Sequence, residues 1–185
     1  MQKIPTLFVR DDSKPGHPVT DEWKPECLWV RDGEGVATVK FDGMNVKIDG
    51  GCLYKRQKPK DRDYDAASYV QCEMGNPADR WAFEAFERAH AGGLNVAVVP
   101  QDGIYELVGP KIQGDPQDFR VHTLIRVVPP SERVLAIAHE EIARTFDGLC
   151  AFLERPPYIE GVVFHHPDGR MAKIKRRDYG LRWPA

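Results

Sequence analysis

Short β-like runs, cut apart by glycine, proline and aspartate, constrain this chain more than any other feature of its sequence. Cys27 to Arg31, Gly35 to Lys40, Asn45 to Ile48 and Gly51 to Arg56 read as antiparallel strands joined by tight turns. Asp49-Gly50-Gly51 is a hairpin turn signal between the last two. Leu94 to Val99 and Gly103 to Val108 read as a further strand pair around Pro100-Gln101-Asp102-Gly103. Glu160 to His165 and Arg170 to Lys175 read as strands about a His166-Pro167-Asp168-Gly169 turn. A helix is expected from Pro77 to about His90: Asn76 can cap it, Pro77 suits its first position, and Ala82, Ala85, Phe86 and Ala89 make an apolar stripe ending at Gly92-Gly93. A second helix is expected from Phe146 to Glu154, stopped by Pro156-Pro157. Ser131 to Arg144 fits helix or strand. The class is therefore α+β, with antiparallel sheets and flanking helices.

With 185 residues, the expectation is one domain over 1–185, long enough to bury a substantial core. Hydrophobic residues at 42% and charged residues at 29% are close to a globular average and favour neither disorder nor a fibrous repeat. No apolar run reaches membrane-spanning length and the N-terminus lacks a signal-peptide core, so the cytoplasm is the expected compartment. Cys27, Cys52, Cys72 and Cys150 form no CxxC pair, which leaves reduced, structural thiols. His165-His166 has no third ligand nearby in sequence to make a metal site. The net charge of −2 excludes a polycation, yet Lys55, Arg56, Lys58, Lys60 and Arg62 form one basic run. Lys173, Lys175, Arg176, Arg177 and Arg182 form another.

Three elements carry chemistry. Lys40-Phe41-Asp42-Gly43 is a K-x-D-G match, which chance places about once in twenty-five sequences of this length, so it has weight only beside others. Tyr105-Glu106-Leu107-Val108-Gly109-Pro110 puts a carboxylate in an apolar strand, where it must meet a cation or hydroxyl. Glu160-Gly161-Val162-Val163-Phe164 is followed by Lys173-Ile174-Lys175, whose lysines share a strand face. Pairing His165 with Arg170 sets Glu160 opposite Lys175 and Val162 opposite Lys173, with acid and lysines on one face. A one-residue slip would send them to opposite faces. Arg56, sixteen residues after Lys40, completes the set.

The order of lysine, arginine, glutamate, glutamate-glycine and K-x-K resembles motifs I through V of the covalent nucleotidyltransferase superfamily of ligases and mRNA-capping enzymes. Ile4-Pro5-Thr6-Leu7-Phe8-Val9-Arg10-Asp11, Gly33-Glu34-Gly35-Val36-Ala37-Thr38, Gly109-Pro110-Lys111-Ile112-Gln113-Gly114 and Lys173-Ile174-Lys175-Arg176-Arg177-Asp178-Tyr179-Gly180-Leu181 are similar to the compact ATP-dependent 5′-to-3′ RNA ligase family. The likeness runs from Ile4 to Trp183 and thins over 74–101 and 127–158. It implies an adenylation domain of the ATP-grasp-like ligase type with no appended OB domain, the chain ending ten residues after Lys175.

By that resemblance Lys40 is the adenylated nucleophile within its Asp42-containing motif, and Arg56 and Glu106 contact ribose and phosphate. Glu160 is the acid near the metal, Lys173 and Lys175 hold the α-phosphate, and Phe119 or His122 stacks on the base. The implied cofactors are ATP and Mg²⁺. The implied partners are RNA 5′-phosphate and 3′-hydroxyl ends, with a partner protein in place of a second domain. An ordinary lysine, with a pKa of about 10.4, needs neighbouring cations, metal or desolvation to become a nucleophile. Lys173, Lys175 and Arg56 would supply that while neutralising the phosphate. A capping-type guanylyltransferase and an inactive nucleotide- or RNA-binding module are the alternative functions.

Overall fold

Turn chemistry sets the element boundaries. The computed structural model describes residues 3–57, 68–90, 100–128 and 136–184. In chain order the elements are β1 (Phe8–Arg10), β2 (Val19–Trp23), α1 (Leu28–Arg31), β3 (Val36–Lys40), β4 (Met44–Asp49), β5 (Cys52–Gln57) and β6 (Ser68–Gln71). Then follow α2 (Arg80–His90), β7 (Gly103–Val108), β8 (Thr123–Val128), β9 (Ala136–Ile137), α3 (Phe146–Glu154), β10 (Gly161–His165) and β11 (Met171–Lys175). Short 3₁₀ turns cover Pro25–Cys27, His139–Glu141 and Arg176–Tyr179. The expected strand at 94–99, the Gly92-Gly93 stop and the first part of the ambiguous 131–144 stretch lie outside the described residues. The described part of that stretch is a two-residue strand and a 3₁₀ turn. The fold is α+β, and its strands pair antiparallel within three sheets.

The chain forms two compact units, Asp42–Val134 with Met1–Lys3, and Ile4–Phe41 with Leu135–Ala185. The first holds a five-stranded sheet in the order β6-β5-β4-β7-β8. Side chains alternate across it, so Val46, Ile48, Leu53, Tyr105, Leu107 and Leu124 face one way and pack with Ala82 and Ala85 of α2. That helix begins at Arg80, three residues later than its proline suggested. Asn76 accepts instead from Ala78 N in a preceding turn, and the Asp79 carbonyl receives the first amides of the helix. The fully buried Asp79 carboxylate binds Lys55 Nζ at 2.6 Å and Glu73 N at 3.0 Å.

The second unit holds a four-stranded sheet in the order β11-β10-β3-β9 and the β1-β2 pair. Ala37, Val162, Phe164, Ala172 and Ile174 form the sheet's buried face, packed in one cluster with Leu149 and Leu153 of α3. Thr145 caps α3 by accepting from Gly148 N, at the expected boundary. Phe8 anchors the remaining core, its ring 4.5 Å from that of Trp23 and 5.2 Å from that of Phe146. The edge of β11 is lined by the N-terminal segment: Leu7 N donates to Lys173 O, and Lys173 N donates to Pro5 O.

One expected strand is a helix. Residues 27–31 continue the Pro25–Cys27 turn into α1, and burial of Cys27 and Val30, three apart, suits a helical face. A five-residue apolar run cannot announce which period it follows. The four cysteines are free, and burial pushes the Cys27 and Cys72 thiols up to about 11, which makes them inert.

Asp79→Ala should cost about 2–3 kcal/mol in urea unfolding, because it strips a buried acceptor from the Lys55 ammonium and the Glu73 amide together. A midpoint unchanged from wild type would show that Asp79 does not anchor α2 to β5.

Candidate functional site

Lys40, the last residue of β3, pairs with Gly161 of β10, which pairs in turn with Lys175 of β11. One row across three strands therefore reads lysine, glycine, lysine. The next row on the same face reads Thr38, Val163, Lys173. This is the sheet face turned away from the buried Phe164 and Ile174. A Cβ on Gly161 would overlap the Ile174 carbonyl and come within 2.9 Å of Lys175 Cα, so glycine is a steric requirement and no side chain stands between the two lysines.

The register differs by one residue from the sequence expectation. His165 pairs with Met171 rather than Arg170, because His166 N closes the turn on Arg170 O and the turn takes one more residue. Val163, not Val162, lies opposite Lys173, and Gly161, not Glu160, lies opposite Lys175. By alternation Glu160 would then face away from the lysines. It escapes that rule because it precedes the strand, in a bend, with its carbonyl accepting from Arg176 N at 2.9 Å. Its carboxylate reaches Lys40 Nζ at 2.5 Å.

Lys40 Nζ also donates to Phe41 O at 3.3 Å. Burial, with Lys40 and Lys175 nearby, pushes the Lys173 ammonium down to about 8. Lys175 is held from below: its backbone N donates to Asp178 at 2.9 Å, and the buried Asp178 pairs with Arg10. The C-terminal basic run is not one surface. Arg176 is buried, bonded to the Arg182 and Leu153 carbonyls and stacked against Tyr158, while Arg177 donates to Trp183 O. Only Lys173 and Lys175 of that run share the Lys40 face.

In the other unit, Tyr69 pairs with Arg56 and Asn45 with Glu106, and the β4–β5 register brings Asn45 level with Arg56. One row on the side away from α2 thus carries Tyr69, Arg56, Asn45 and Glu106. One partner of Glu106 is the Gly43 backbone amide, which donates to it at 3.1 Å. A side chain at Gly43 would overlap Leu107 O and press on Glu106 Cγ, which explains the glycine of K-x-D-G. Asp42 is partly buried just before it. The first basic run divides as well, since Lys55 points to α2 and Arg56 away from it; Lys58, Lys60 and Arg62 lie outside the described residues. Of the two base-stacking candidates, His122 is already committed: it is buried, stacked on Trp81 at 4.5 Å and bonded to Glu84 at 3.0 Å. Phe119 is partly buried in the loop before it.

Sequence reasoning missed Asn45, which accepts from Tyr69 Oη at 2.7 Å, and the Thr38–His165 contact at 3.0 Å. Alternation from Lys40 and from Glu106 would have found both, once the strand pairs were known. Chemically, three amines around a glycine, with one carboxylate on the foremost, suit an anion whose charge grows as an amine attacks it.

No family model matches the sequence. Over 104 residues, 51% of this chain, it is 29% identical to RNA ligase 1 of Pongo abelii. Over 101 residues, 50% of the chain, it is 31% identical to RNA ligase 1 of Danio rerio. The chain is similar to RNA ligase 1. The matched stretch spans 30% of either relative's length. Among the described residues no helix is long and apolar enough to cross a membrane.

The lowered Lys173 pKa has a sign that can be checked. Between about 8 and its ordinary 10.5 the unfolded chain binds more protons at this lysine, so its unfavourable burial is felt fully below pH 8 and relieved as pH rises. Lys173→Met should therefore raise the urea midpoint at pH 7 and lose that advantage by pH 10. An advantage that is constant with pH would show that the ammonium is not desolvated.

Proposed function

We propose that this chain is an ATP-dependent RNA ligase of the covalent nucleotidyltransferase type, with Lys40 as the residue that carries AMP. The observation that supports this most is the Lys40–Gly161–Lys175 row with Glu160 on the Lys40 ammonium. Similarity to RNA ligase 1 supports the same reading. On this reading the chain has the adenylation-domain fold, and Arg56 and Glu106 contact ribose and phosphate, an assignment that rests on motif order. The base-stacking role falls to Phe119 or His122.

Lys40 must lose a proton before it can attack, and Glu160 Oε2, in contact with Nζ, is placed to receive it. The neutral amine then attacks the α-phosphorus of ATP: an N–P bond forms, the P–O bond to pyrophosphate breaks, and pyrophosphate leaves. Lys173 and Lys175 neutralise the charge that grows on the α-phosphate. An RNA 5′-phosphate oxygen next attacks the same phosphorus and releases Lys40. A 3′-hydroxyl finally attacks the RNA 5′-phosphorus, forming the phosphodiester and expelling AMP.

Mg²⁺ fits the residues present as a shared ion rather than a caged one. Among the described residues no group of three His, Cys, Asp or Glu side chains could hold a metal, whereas Mg²⁺ commonly takes one or two carboxylates together with substrate phosphates. Glu160, once it has passed the Lys40 proton on to solvent, is the carboxylate that would hold it. When bound, the ion would neutralise the pyrophosphate leaving group.

Incubation with ATP should leave one AMP on the protein, and Lys40→Ala should abolish it. Mass spectrometry reads both; an adduct formed with GTP alone would assign the chain to capping chemistry instead. Lys175→Ala should slow adduct formation about a hundredfold, or about 3 kcal/mol, with the fold intact. Labelling of that variant at the wild-type rate would remove Lys175 from the phosphate.

A further inference from the structure

We propose that the side of the five-stranded sheet away from α2, at its β5–β6 edge, is a platform on which single-stranded RNA stacks its bases against Tyr54 and Tyr69. The identity of the nucleic acid as RNA rests on the ligase reading; the platform itself rests on the sheet.

The register puts Tyr69 opposite Arg56, Tyr54 opposite Gln71, and Lys47 opposite Tyr54. Tyr54 and Tyr69 are therefore diagonal neighbours on adjacent strands, about 7–8 Å apart and on one face. The opposite face is closed by α2, and β6 is the sheet's edge strand. Arg56 and Gln71 are exposed, and both tyrosines and Lys47 are half-buried, as for side chains lying on a surface rather than inside a core.

The Tyr69 hydroxyl donates to Asn45 on β4, with β5 and its Arg56 between them. Two strand spacings amount to roughly 10 Å, so a ring fastened at that distance must lie along the sheet and turn a π-face outward. Its rotamer is fixed before any ligand arrives, which reduces the entropy lost on binding. Lys47 Nζ stands over one face of the Tyr54 ring, 5.9 Å from its centre, and is bonded to Asp49, which offsets its charge. Arg56, exposed between Tyr69 and Asn45, belongs to the nucleotide on the ligase reading, so the platform rests on the two rings. Paired aromatics on neighbouring strands of a helix-backed sheet suit unstacked bases of any sequence.

The test is fluorescence anisotropy of a 5′-phosphorylated, single-stranded oligoribonucleotide with the full chain, alongside ATP labelling of Lys40. Tyr54→Ala and Tyr69→Ala should each weaken RNA binding about tenfold or more, and Tyr54→Phe should bind like wild type. Labelling of Lys40 should be unchanged in the Tyr54 variants. If an alanine variant fails to fold, Tyr54→Leu decides, since it keeps apolar bulk without a π-face and should also lose affinity. Wild-type affinity in Tyr54→Ala or Tyr54→Leu, or equal loss in Tyr54→Phe, overturns the platform. Tyrosine-dependent binding by a chain that never takes AMP would keep the platform and reject the ligase; normal labelling with tyrosine-independent binding would do the reverse.

Discussion

Three lysines on one face of a small sheet repel one another, and the second unit is organised around relieving that repulsion. A carboxylate within the strands would occupy the row itself. Glu160 instead sits one residue ahead of β10, off the alternation, and meets Lys40 from the end of the strand. Asp178 approaches from the other side, through the Lys175 backbone and Arg10. Burial first, and then Lys40 and Lys175, push the Lys173 ammonium down to about 8. The cations are thus kept close to one another without a side chain between Lys40 and Lys175.

The rest of that unit holds the three strands still. Pro5 and Leu7 pair with the outer edge of β11, so the strand bearing Lys173 and Lys175 is bonded on both sides. Arg144 donates to the carbonyls of Val30, Glu34 and Gly35 and lies over the Phe164 ring, fixing the turn from which β3 starts toward Lys40. Such ties matter to transfer chemistry because a misplacement of about 1 Å can cost a hundredfold in rate.

The first unit divides its labour between two sheet faces. One is apolar, closed by α2 and anchored through Lys55 and Asp79; the other carries Tyr69, Arg56, Asn45 and Glu106 in a single row. Strand alternation alone sends consecutive basic residues to these different duties. Lys55 is structural and Arg56 is available, although they are neighbours in sequence.

The sequence by itself determined the local elements and the chemical inventory. Turn signals placed β4, β5, β7 and α3 within a residue or so, because Asp-Gly-Gly and Pro156-Pro157 act over a few bonds. It also supplied Lys40, Glu160, Lys173 and Lys175 as residues of matching chemistry. It misread 27–31, where a short apolar run has no distinct period, and it set the start of α2 at the proline instead of at Arg80. The register of the last hairpin depended on how many residues the turn consumed, which is a matter of backbone hydrogen bonds between His166 and Arg170 that composition does not encode. Only the tertiary structure decided that Gly161 lies between Lys40 and Lys175, that Arg176 is buried while Lys175 is not, and that Tyr69 reaches across a strand to Asn45. Each of these joins residues far apart in the chain, and such pairings are set by which strands share an edge, a choice made by the packing of the whole core.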